Sequence, residues 1–120
     1  MEDGAGQGRE LEQGEWASFF DELNKRVEAG EELDATVELA SEPLELTEAE
    51  HLPLASITHE DGDNQIAIGL GGRGTRYPTV LWHYVDAPSR VVVSKPDEDT
   101  LGVQIDAGDG TTTTVRLYEG

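Results

Sequence analysis

Trp16-Ala17-Ser18-Phe19-Phe20-Asp21-Glu22-Leu23 and, a few residues on, Leu33-Asp34-Ala35-Thr36-Val37-Glu38-Leu39 bracket the point where the hydrophobic period of this chain changes. In the first segment Trp16, Phe19, Phe20, Leu23 and Val27 fall at i, i+3, i+4, i+7 and i+11. At roughly 100° per residue that spacing makes one narrow apolar stripe, which predicts an amphipathic helix. The opposite side carries Asp21 with Lys25 and Glu22 with Arg26, both acid-first i,i+4 pairs, and Gly30 supplies a stop. In the second segment Leu33, Ala35, Val37 and Leu39 alternate with polar residues, a period of two that predicts a half-buried strand.

Working outward, residues 1–13 show no apolar period and interleave Gly4, Gly6 and Gly8 with Glu and Gln. They read as a disordered acidic tail, which leaves residues 14–120 as a single domain. Toward the C-terminus, Pro43 interrupts the first strand, and Thr47 with Glu50 fits a capping box on one short helical turn. Leu52–Thr58, then Ile66, Ile68 and Leu70, then Thr79–Val85 and Val91–Val93 read as further strands. His59–Asn64 is a turn, and the glycine-rich run Gly69–Thr75 is a loop. Leu101, Val103 and Ile105 lead through Asp109-Gly110 to Val115 and Leu117, the signature of a closing hairpin. One helix followed by six to seven strands predicts an α+β fold, with the helix packed on a curled antiparallel sheet or small open barrel. No βαβ repeat is present, which argues against a doubly wound nucleotide fold.

Charge narrows the function classes. The 120 residues hold 26 acidic and 8 basic side chains, a formal net charge of −18, and only two lysines, Lys25 and Lys95. Residues 1–50 carry 16 acids and 3 bases, and residues 51–120 carry 10 and 5. Acids spread over helix, strand and loop positions alike point to a solvated surface of the halophilic type rather than to a mimic of DNA. Self-repulsion across such a surface acts over roughly 10 Å in dilute salt and only about 3 Å in molar salt. The same charge excludes unaided binding to nucleic acid or to an anionic membrane. No run approaches ~18 consecutive apolar residues, and the N-terminus does not read as a secretory signal, so a cytoplasmic location is expected. The chain has no cysteine, which removes thiolate chemistry and cysteine-based metal sites.

The opening Trp16-Ala17-Ser18-Phe19-Phe20-Asp21-Glu22-Leu23 resembles the W-x-x-F-F-D-E-L start of a small bacterial and archaeal family, domain of unknown function 5335. The likeness continues through Thr36-Val37-Glu38, Leu52-Pro53-Leu54 with Ile57, His83 in a middle strand, and the Asp109-Gly110 hairpin with its threonines, covering about residues 15–118. Residues 30–34 depart from the family's pattern as an insertion. The resemblance implies no activity and transfers no catalytic residue.

Chemistry-bearing patterns are few. Gly69-x-Gly71-x-x-Gly74 matches a dinucleotide fingerprint, but Arg76-Tyr77-Pro78-Thr79 leads into a strand where the mechanism needs a helix N-terminus. His51, His59 and His83 lie apart, and the acids around His59 lack calcium-loop spacing, so no metal or other cofactor is expected. No serine sits in a nucleophile elbow, and no catalytic residue is assigned. Thr79–Val85 is apolar on both faces, with Leu81 and Val85 on one and Val80, Trp82 and Tyr84 on the other. It reads as a central buried strand, or else as one that leaves Trp82 or Tyr84 exposed as an anchor for a partner. Arg73 and Arg76 stand just upstream, so the candidate binding residues are Arg73, Arg76, Trp82, His83 and Tyr84. The favoured role is a non-enzymatic binding or interaction module, with a protein partner or a homodimer. The alternative is a small-ligand-binding or catalytic protein with its site near the Gly69–Arg76 loop.

Overall fold

A computed structural model of the chain describes residues 8–41, 44–60, 62–71 and 81–119. Helix α1 (Gln13–Glu28) forms as the stripe predicts, burying Trp16, Phe20 and Leu23. At its start the Glu12 N–H donates to Glu15 Oε1 (2.9 Å), which satisfies a backbone donor just ahead of the first turn. At its end Gly30 takes φ +98°, and its N–H reaches the Val27 carbonyl (3.0 Å). Lys25 pairs with Asp21 at 3.2 Å, and Arg26 reaches forward to Glu31 at 2.7 Å.

Eight strands accompany this helix among the described residues: β1 (Arg9–Leu11), β2 (Leu33–Ser41), β3 (Leu44–Glu60), β4 (Gln65–Leu70), β5 (Leu81–Asp86), β6 (Pro88–Asp97), β7 (Thr100–Ala107) and β8 (Thr112–Glu119). They form one antiparallel sheet in the order β1-β6-β7-β8-β2-β3-β4-β5, open at β1 and β5. The architecture is therefore mostly β, and the expected α+β arrangement of six to seven strands is corrected. The surplus strand is β1, in the segment expected to be disordered. Arg9–Leu11 pairs with Val91–Val93 of β6, and Leu11 is 3% exposed. A single buried leucine carries no period, so only the pairing partner reveals the strand.

The second correction falls on β3. No helical turn forms at Thr47–Glu50, because that segment pairs with β2, Thr47 lying opposite Glu38. β3 runs unbroken for 17 residues and changes partner midway, from β2 to β4. A bulge makes the bend. Between the pairs Ala35↔Leu52 and Val37↔Ala49, Thr36 faces two residues, and its Oγ1 accepts the His51 N–H at 3.1 Å. His51 sits at φ +53°, and its ring stacks on Tyr118 at 4.5 Å.

Beyond the bend, β3 leaves an edge beside α1. Asn24 fills it: its Nδ2 donates to the Ile57 carbonyl and its Oδ1 accepts the Ile57 N–H, both at 2.9 Å. A carboxamide offers the same donor and acceptor as a peptide, so one helix side chain stands in for a strand.

Inner faces meet across the curl of the sheet. Ala35 and Val37 of β2, Val103 and Ile105 of β7, and Val115 and Leu117 of β8 pack with Ile57, Ile66, Ile68 and the helix stripe in one core. Each of these strands follows the predicted alternation. The β5–β6 junction closes the curl: Ala87, at φ +50°, donates to the Asn64 carbonyl (3.0 Å) and accepts from Gly108 N–H (2.8 Å).

Candidate functional site

β5 is bonded to β4 with Ile68 opposite His83, Ala67 opposite Tyr84 and Gly69 opposite Trp82. It lies at the edge of the sheet, so the central-strand reading is corrected. The Ala87 N–H bond to Asn64 sets the phase of the ladder. By the antiparallel alternation, Leu81, His83 and Val85 exchange hydrogen bonds with β4, whereas Trp82 and Tyr84 turn their N–H and C=O groups away from it. Among the described residues no strand pairs with that outer edge.

The two large aromatics point to the outer face and remain 46% and 51% exposed. Their rings lie nearly parallel, 17° apart, with centroids 6.2 Å from one another. Small residues of β4 make the floor beneath them. A Cβ at Gly69 would stand 2.9 Å from the Trp82 ring and 3.2 Å from Ser56 Oγ, so glycine is what lets the indole lie flat across the sheet. Ala67, opposite Tyr84, is buried in turn. The sequence carried this signal as paired alternations: small residues at 67 and 69, aromatics at 82 and 84.

His83 faces the other way. It is half-buried on the inner face, with Nε2 3.4 Å from Thr113 Oγ1 of β8. Of the five candidate residues, Trp82 and Tyr84 share a surface, His83 lies behind it, and Arg73 and Arg76 fall outside the described residues. A cleft of about 130 Å³ opens beside His83, bounded by Asp86, Asp109 and Thr111, below the ~300 Å³ common for small-molecule sites. A half-open groove of about 390 Å³ lies elsewhere, on the outer face of β2, β3 and β8, where Arg116 is bonded to Glu38 at 2.6 Å.

Cations elsewhere are drawn to carboxylates. Arg9 meets Glu15 at 3.8 Å, and Arg90 meets Glu10 at 3.3 Å and Asp106 at 3.7 Å. Such exposed pairs contribute only about 0–1 kcal/mol each. His59 packs edge-on against Trp16 at 5.1 Å and lies 3.1 Å from Asn64 Oδ1. No helix among the described residues is long and apolar enough to cross a membrane.

Residues 7–119 match the model of the Family of unknown function (DUF5335). The chain belongs to this family. The DUF5335 match runs from ahead of β1 to the end of β8, so the edge strand and its aromatic pair lie inside the family's span. No curated protein and no solved structure matches the chain.

Proposed function

We propose that this chain is a non-enzymatic interaction module of a salt-rich cytosol, and that β5 is its recognition element. The observation that carries the reading is the stacked Trp82–Tyr84 pair, about half exposed on an edge strand. Exposed aromatics held rigid by their floor offer a partner a large contact at little entropic cost, and the adjacent backbone edge offers hydrogen bonds. Arg73 and Arg76 precede this strand in the acid-free stretch of sequence between Asp63 and Asp86.

The test is retention of a protein partner in about 3 M KCl, where surface charge is screened to about 2 Å. Wild type should retain a stoichiometric partner, and Trp82→Ser with Tyr84→Ser should lose it without lowering the melting temperature. Reversing Arg73 and Arg76 to Glu should weaken retention. Equal retention by all three proteins overturns the reading.

A further inference from the structure

We infer that the partner of β5 is a second copy of this chain, docked edge to edge about a two-fold axis at His83. The inference rests on the proposed role of β5 and adds the identity of what covers it. Trp82 and Tyr84 turn their backbone N–H and C=O groups outward, so an antiparallel copy presents complementary groups along the same line. With the axis at His83, Trp82 lies opposite the partner's Tyr84, and Tyr84 opposite the partner's Trp82. Each of these pairs closes two hydrogen bonds and brings aromatic side chains together on the outer face. An isologous contact of this kind closes on itself, whereas an open edge invites indefinite pairing.

Charge decides for a second copy. The chain carries 26 acidic residues, yet none lies between Asp63 and Asp86. On the outer face of β3–β4–β5, Ser56, Thr58, Ala67, Gly69, Trp82 and Tyr84 form two uncharged rows, bounded on one side by the row of Glu60, Gln65 and Asp86. The outer face of the remaining sheet carries Glu10, Glu38, Arg90, Asp106 and Arg116. Two chains of net charge −18 repel one another at such charged surfaces, and the acid-free rows are where they approach at least cost. This origin fixes the sign of the salt dependence. Self-association strengthens as KCl screens the repulsion, whereas pairing with a cationic partner weakens.

Sedimentation of the purified chain in about 0.5 M and about 3 M KCl is the test, since the screening length falls about twofold between them. The expected result is a species of twice the 13.0 kDa chain mass that grows with KCl and is lost in Tyr84→Asp, which sets like charges beside the axis. The chain lacks cysteine, so His83→Cys should give an oxidised dimer across the axis, while the exposed and remote Leu46→Cys should not. A wild type that sediments as one chain in both salts overturns self-pairing. If that same protein still retains another protein through Trp82 and Tyr84, the interaction module stands without it. A dimer that survives Tyr84→Asp, or fails to cross-link through position 83, overturns the contact at β5.

Discussion

Asp109 opens the β7–β8 turn, with Oδ1 accepting the Thr111 N–H at 2.9 Å while Gly110 takes φ +93°. The Thr111 backbone bond, joined by the Thr111 hydroxyl, holds this carboxyl below its ordinary value. A carboxyl whose folded pKa is lowered stabilises the fold at pH above its unfolded value and loses that contribution as pH falls through the folded one. Asp109→Ala should therefore melt below wild type at neutral pH, and the gap should close below about pH 3–4, where carboxyls protonate. A gap that persists at the acid end would show that the turn depends on shape rather than charge. This turn was legible, because Asp-Gly between alternating strands names its own geometry. His51 and Ala87, at φ +53° and +50°, were not. Alanine avoids the left-handed region and histidine enters it only as a minority conformation, and each is held there by bonds to residues distant in sequence.

At the scale of elements, α1 and β3 are held together by apolar packing and by one side chain that imitates a backbone. Phe20→Ala should cost about 3–5 kcal/mol, as for a buried aromatic. Asn24→Ala should cost about 1–3 kcal/mol by leaving the Ile57 N–H and C=O without their partner, and Asn24→Asp more, since a carboxylate cannot donate. Urea melts of these variants beside an exposed Glu22→Gln control check the ranking. Equal losses in Asn24→Ala and the control would remove Asn24 from the edge. The helix was legible because its stripe is local. β3 was not, because its continuity depends on the Thr36 hydroxyl meeting His51, a contact between strands that periodicity does not record. β1 was invisible for the same reason. Of the candidate site, the two-faced apolar character of β5 was legible, but such a strand reads as central, and only the sheet order places it at an edge.

For the whole molecule, a net charge of −18 dominates. Raising KCl from about 0.1 to about 3 M should raise the melting temperature, because the Debye length falls from roughly 10 to about 2 Å. A melt that is unchanged or lower in concentrated salt would end the halophilic reading. Strand order carries a different consequence, in time rather than energy. β2 lies between β3, its immediate successor, and β8, whose residues Thr112–Glu119 are made roughly eighty positions after Leu33. On a ribosome the β2–β3–β4–β5 meander can emerge and pair while the far side of β2 still waits. Until β8 arrives, that waiting strand exposes Ala35 and Val37 to any passing chain, so the nascent protein is open to misassembly from the time β2 emerges until β8 pairs with it.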